Sequence, residues 1–240
     1  MADLGAFPSD IERVLCVAAH PDDLEYGIAC AAARWTAEGT EVVYVLATSG
    51  EAGITSMPPL EAGPLREQEE RDGAALVGVT KVEFLGHPDG SVANDLTLRH
   101  DLARAIRRHR PDVLASINFR DQFGPGSFNH VDHRNVGVAL LDAARDAANP
   151  WMFPELEAEG LPAWSGVRCA AFGGSPQATH AVAITEAHLA SGIASLEAHK
   201  VYFDLLGQDF DPRAFLTGLA RDGGAALGVD YAIAVEVIDL

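Results

Sequence analysis

The chain has 240 residues, 48% of them apolar and 22% charged, with a formal charge of −18 at pH 7. That composition suits a globular domain with a sizeable core, and the acidic balance argues against nucleic acid or an anionic membrane as partner. Cys16, Cys30 and Cys169 show no C-x-x-C spacing, the first ten residues lack the basic and apolar parts of a signal peptide, and no run is long enough to span a membrane, so a cytoplasmic protein with reduced thiols is expected.

Residues 14–19 form a short apolar run with β-branched members, stopped by His20-Pro21-Asp22-Asp23. This is the pattern of a central parallel strand. Residues 24–38, rich in alanine, read as a helix ended by Gly39. Residues 41–48 are a second strand, closing in the loop Ser49-Gly50-Glu51-Ala52-Gly53. An irregular stretch with Pro58, Pro59 and Pro64 leads to a charged, half-exposed helix over residues 65–76. Residues 82–85 are a third strand, followed by the loop from Gly86 to Gly90. Residues 95–109 are a basic helix, 112–117 a fourth strand, and 118–129 a loop that delivers His130-Val131-Asp132-His133. A helix over 134–148 completes this half. Strands and helices alternate, which predicts an α/β protein with a mostly parallel sheet between two helical layers.

The second half is less regular. Residues 150–164 form an aromatic and proline-containing connector, readable as a wall of the site or as plain core. Two short strands (167–172, 181–184), a long helix (186–206), another helix beginning at Asp211-Pro212 and a last strand (231–240) follow. No repeat or polar linker divides the chain, so residues 1–240 are expected to form one domain.

His20, Asp22 and Asp23 fall in the turn after the first strand, the rim where open α/β sheets bind ligands. Either carboxylate could instead cap the helix. His130 and His133, three apart, point the same way from a helical turn and follow the fourth strand, so they share that rim. Together His20, Asp23 and His133 make a ligand set for a catalytic zinc with one open position. Asp22 is then the carboxylate available to take a proton from water. His130 can face the other side of a reacting carbonyl.

These motifs, with Ser49 to Gly53, Arg66-Glu67-Gln68-Glu69, the Gly86–Gly90 loop and a looser echo around Glu197-Ala198-His199, resemble the PIG-L/LmbE-like family of zinc-dependent de-N-acetylases. The resemblance runs over roughly residues 13–145. It implies a Rossmann-like three-layer αβα fold and hydrolysis of N-acetyl groups from N-acetylglucosamine-containing small molecules. It makes His20, Asp23 and His133 the Zn2+ ligands, with iron or another divalent ion left open. It also makes Asp22 the general base, His130 the partner of the oxyanion, and Asp132 a carboxylate that tunes an imidazole. Glu51, Arg66 and Asp89 occupy substrate-loop positions, and Arg66 could equally be a solvated helix charge. The sequence departs from the family at Ala29-Cys30, where many members have two glycines. It departs again at Phe128, where some carry a tyrosine. Two rivals remain: an amidase for thiol conjugates or other secondary-metabolite amides, and a metabolite binder without chemistry. No strand leads into G-x-G-x-x-G, which argues against the binder. Oligomeric state is open. Among the other histidines, His87 belongs to a substrate-side loop, His100 and His109 are expected to be solvated, and nothing local gives His180 or His188 a role.

Overall fold

A computed structural model describes residues 3–206 and 210–240. The strand that the sequence puts first in importance, β2 (Arg13–Ala18), lies inside an eight-stranded sheet. Ahead of it is a two-residue strand, β1 (Gly5–Ala6), which the sequence reading did not expect. In chain order the parallel strands continue as β3 (Glu41–Leu46), β4 (Lys81–Phe84), β5 (Val113–Ile117) and β8 (Cys169–Gly173). The edge is finished by β9 (His180–Ile184) and β10 (Tyr231–Asp239), and the order across the sheet is β1-β9-β10-β8-β5-β2-β3-β4. β10 runs antiparallel between β8 and β9; the remaining pairings within the sheet are parallel.

Alternate strand residues feed two separate cores. Val14, Cys16 and Ala18 point to the side covered by α1 (Asp23–Gly27), α2 (Ala29–Ala37), α7 (Glu186–Glu197) and α9 (Pro212–Leu227). Leu15, Val17 and Ala19 point to the side covered by α4 (Leu96–His109) and α5 (Val131–Ala148). Burial on both faces is why these strands read as continuous apolar runs. Truncating a fully buried side chain such as Leu15 or Leu114 to alanine removes about 2–5 kcal/mol. The three cysteines are buried and free, and no described helix is long and apolar enough to cross a membrane.

Several boundaries differ from expectation, each for a local reason. The helix expected over 24–38 breaks at Ile28 (φ −128°), where α1 ends in Gly27 pressed against Gly173 of β8. A Cβ on Gly173 would sit 2.3 Å from the Gly27 carbonyl oxygen, so backbone meets backbone there. The prolines at 58 and 59 start a helix instead of an irregular stretch: α3 (Pro59–Leu76) has Pro59 in its first turn, where no N–H is needed. The loop 118–129 contains a small hairpin, β6 (Gln122–Gly124) and β7 (Ser127–Phe128), turned at Gly126 with φ 80°. The long helix over 186–206 is two, α7 and α8 (Lys200–Leu206), parted at Ala198 and His199. Residue 206 is the last described residue before the gap, and the rest of that junction lies outside the described residues.

The sheet carries its site where the chain changes direction. From β2 it moves outward to β3 and β4, then returns to place β5 on β2's other flank. The crevice at the carboxyl ends of β2 and β5 is the switch point at which such sheets bind ligands.

Candidate active site

Asp22 occupies the N-cap position of α1 yet makes no side-chain cap bond. Its backbone is left-handed (φ 84°), a conformation that aspartate tolerates but that costs on the order of 1 kcal/mol or more. Helix α3 holds it there. The Asp22 N–H donates to Glu70 Oε2 (3.0 Å), and Arg66 Nη2 donates to the Pro21 carbonyl (2.6 Å) while pairing with Asp22 Oδ1 (3.3 Å). The twist turns the carboxylate away from the helix it would otherwise cap. Burial pushes the Asp22 carboxyl up to about 7, with the Arg66 cation pulling the other way.

Asp23 faces two imidazoles. Its Oδ2 accepts from the His20 backbone N–H (2.8 Å) and lies 3.3 Å from His20 Nδ1; its Oδ1 lies 3.0 Å from His133 Nε2. The proton on each ring is set by outer partners. The Asn129 amide nitrogen donates to the carbonyls of Asn118 and Arg120, which leaves Oδ1 to accept from the His130 N–H and from His133 Nδ1 at 2.9 Å. His133 Nδ1 therefore bears the proton and Nε2 keeps a lone pair. His20 Nε2 lies between Asp89 Oδ1 (3.0 Å) and Asp132 Oδ2 (3.3 Å), which assigns its proton there and frees Nδ1.

His20 Nδ1, His133 Nε2 and the Asp23 oxygens thus converge with lone pairs only 3.0–3.3 Å apart. Ligands bound to zinc in a tetrahedron at about 2.0–2.1 Å are about 3.3 Å from one another. The donor set fits a divalent cation, because lone pairs this close repel unless positive charge lies among them. The surrounding field favours that charge. Burial opposes ionisation of His20, yet Asp23 and the bonds to Asp132 and Asp89 hold its pKa well above the ordinary value. Asp23, despite burial, is held well below the carboxylate range by His133 and His20. His20, His130 and His133 also form a cluster of metal-ligating side chains, with the His130 ring 5.0 Å from His20, edge-on, and 5.3 Å from His133.

The other expected residues divide. His130 caps α5, its Nδ1 accepting from the Asp132 N–H, and lines the cavity that opens at this cluster. Asp132 is wholly buried behind His20 and accepts from the N–H groups of Gly90 and Val92, so it braces an imidazole and is absent from the cavity wall. Asp89 lines the cavity as well as touching His20. Glu51 accepts from the Asp89 N–H and supports that loop from outside the cavity lining. Arg66 is no solvated charge: it is 2% exposed, donates to the Gly50 carbonyl and stacks on Tyr202 at 4.0 Å. Phe128 is 70% exposed at the cavity mouth, with Arg134 over its ring.

The aromatic connector is no part of the site. Trp151 is 85% exposed, Phe153 packs on His100, and Trp164 lies between Arg13 and Arg110 at the opposite rim. The cavity, of about 760 Å³, takes its aromatic wall from Tyr26, Phe123, Tyr202 and Phe215 instead. His100 and His109 are paired rather than solvated, His109 with Glu83 at 2.8 Å. His87 pairs with Asp101, and His188 completes a capping box with Thr185.

Glu70 went unnoticed in the sequence, although the spacing of Arg66, Glu70, Gly73 and Ala74 marks one buried face of α3. Behind it, Glu25, Glu70 and His199 form a fully buried cluster, with His199 Nε2 3.8 Å from each carboxylate. Burial drives Glu25 up to about 8 and His199 down to about 3.

A profile of the PIG-L family, described as GlcNAc-PI de-N-acetylase, matches residues 15–144. The chain belongs to the PIG-L family. All three of the cation-facing residues and the three outer histidine supports, Asp89, Asn129 and Asp132, lie inside that match. A diacetylchitobiose deacetylase of Thermococcus kodakarensis is 31% identical over 144 residues, covering 59% of this chain and 52% of that protein. A 1D-myo-inositol 2-acetamido-2-deoxy-alpha-D-glucopyranoside deacetylase of Geodermatophilus obscurus is 31% identical over 163 residues, covering 57% and 55%. The chain spans about half the length of these curated relatives. Among solved structures, the N,N'-diacetylchitobiose deacetylase of Pyrococcus horikoshii superposes with a TM-score of 0.84 at 26% identity, covering 95% of this PIG-L chain and 84% of that one. The three-layer α/β architecture is that of PIG-L deacetylases.

Proposed function

We propose that residues 1–240 form one PIG-L domain that hydrolyses the N-acetyl, or more broadly N-acyl, group of an N-acetylglucosamine-containing or related amino-sugar substrate. The observation that carries this reading is the convergence of three lone-pair donors beside a buried carboxylate that makes no helix-cap bond and pairs with Arg66. His20, Asp23 and His133 would hold the ion, taken to be zinc. When bound, such an ion polarises a carbonyl and brings the pKa of water to about 7.

The chain's own residues would do the rest. Asp22, raised to about 7 by burial, accepts a proton from the attacking water and returns it to the leaving amine. Arg66 keeps that carboxylate from staying protonated, and its grip on Pro21 keeps it pointed at the cavity. His130, whose pKa is lowered by burial and by His20, stands at the cavity wall opposite and meets the charge that develops on the carbonyl oxygen. With phenylalanine at 128, no hydroxyl at that position would share this task with His130. Asp132 holds His20 in its proton-bearing orientation, while Arg66 and Asp89 offer polar contacts to sugar hydroxyls. The names of the deacetylase relatives support this substrate class. Three buried thiols support a reducing, cytoplasmic setting.

The test is acetate release from a panel of N-acetylated amino sugars by zinc-loaded protein and by Asp22→Asn. The expected result is turnover by the parent and a loss of about 10²- to 10⁴-fold in the variant at unchanged zinc content. Equal rates would remove Asp22 as the base.

A further inference from the structure

A second cavity, of about 410 Å³, borders the first; the two share Tyr26, Gly27, Phe123, Gly174 and Leu219 in their walls. It runs beneath α9, between α1 and β10, against Ile28, Leu216 and Ile233. Small residues leave the space: Ala178, Ala226 and Ala234 line it where larger side chains would fill it. Among its polar side chains, Ser175 donates to Glu236, Glu25 accepts from Ser195 at Oε1 with Oε2 3.8 Å from His199, and Asp222 is exposed. A chamber of this kind takes an apolar ligand.

Its direction from the charged cluster says which part of a substrate would enter. In the sheet, β3 and β4 lie on one flank of β2, and the polar groups Arg66 and Asp89 belong to that side. β5, β8 and β10 lie on the other flank, and the side cavity belongs there. A secondary amide is planar and trans, so its acyl chain and its nitrogen substituent leave the carbonyl in opposite directions. With the amine part against Arg66 and Asp89, the acyl part points to the shared wall at Gly27 and Gly174.

We propose that this side cavity is an acyl-chain site, so that the protein accepts straight-chain N-acyl groups longer than acetyl. The proposal rests on the hydrolytic reading above and deepens its substrate class. In the reaction water adds to the carbonyl, the C–N bond breaks, and a carboxylate and a protonated amine leave.

Binding and turnover separate the two claims. Zinc-loaded Asp22→Asn is titrated calorimetrically with glucosamines carrying N-acetyl, N-butanoyl, N-hexanoyl and N-octanoyl groups, and in parallel with methyl, butyl and hexyl glycosides of N-acetylglucosamine. In the acyl series Kd is expected to fall two- to fourfold per added methylene until the cavity is filled, as transfer of CH2 from water predicts. The glycoside series should stay flat. Ala226→Trp, or Ala178→Trp should the first not fold, fills the cavity and should flatten the acyl series without changing Kd for the N-acetyl compound. A flat acyl series, a trend confined to the glycosides, or a trend that survives both tryptophan variants overturns the acyl site. The parent's turnover of the N-acetyl compound reports on the hydrolytic reading alone: its absence beside an intact acyl trend overturns that reading and leaves the cavity assigned.

Discussion

At one end of the cavity outer partners fix the polar side chains: Asn129 orients His133, Asp132 and Asp89 orient His20, and Arg66 with Glu70 holds the twisted Asp22. Elsewhere on the wall Tyr26, Phe215 and Leu219 meet the cavity with little but shape. The contrast teaches a division of labour. Chemistry at a developing charge needs donors and charges held within fractions of an ångström, and outer partners supply that precision. Selection of an apolar substituent needs volume, which the shape of the wall sets. The charged end should therefore respond to mutation in kcat, and the apolar end in KM.

The largest effect that sharpens this comparison is expected from Arg66→Met. It removes the only cation paired with Asp22 among the described residues, frees the Pro21 and Gly50 carbonyls, and should lower kcat by about 100-fold or more. Because Arg66 opposes the rise that burial imposes on Asp22, its loss should also move the acidic limb of the kcat profile to higher pH. A pH profile of the variant checks the sign; a shift to lower pH breaks the account of Asp22. Next comes Glu70→Leu, which leaves the Asp22 N–H buried without its acceptor and should lower kcat about tenfold with metal content intact. Glu70→Gln keeps an acceptor oxygen and should restore most of the rate.

The legibility of the two ends differs for the same physical reason. The proposed ligands and base sit within short segments at strand ends, so His20-Pro21-Asp22-Asp23 and His130-x-Asp132-His133 carry the charged end almost whole. The supports are half visible: Asp132 lies inside a motif, whereas Glu70 looks like one charge among many until its helical face is traced. The apolar wall comes from α1, a hairpin, α8 and α9, far apart in sequence, and no local pattern joins Tyr26 to Phe215. The tryptophans drew attention instead, although Trp164 serves the opposite rim. Alternation gave away the parallel sheet, but not the break at Ile28, which depends on Gly27 meeting Gly173 across the fold.

At the apolar end smaller changes are expected. Leu219→Ser should raise KM about fivefold and leave kcat within about twofold, and a fall in kcat at unchanged KM would erase the distinction between the two ends. The smallest expected effect concerns stability. Glu236 accepts from Arg120 and from Ser175 (2.6 Å), tying the loop after β5 to β10. Burial alone would raise its carboxyl, but Arg120 and Ser175 hold it below the ordinary value. A depressed carboxylate adds stability above its unfolded pKa of about 4.3 and loses it as pH falls through the folded value. Glu236→Gln should cost about 1–2 kcal/mol at pH 7 in urea unfolding, and the difference should shrink toward pH 3. A difference that grows with acid would contradict the sign.

The convergence of His20, Asp23 and His133 is the centre of the account, and metal content tests it most directly. Protein stripped of metal, reloaded with zinc and desalted should hold one ion per chain in the parent and in Asp22→Asn, and close to none in His133→Ala. A His133→Ala protein that folds and retains zinc at the parent's stoichiometry would contradict it.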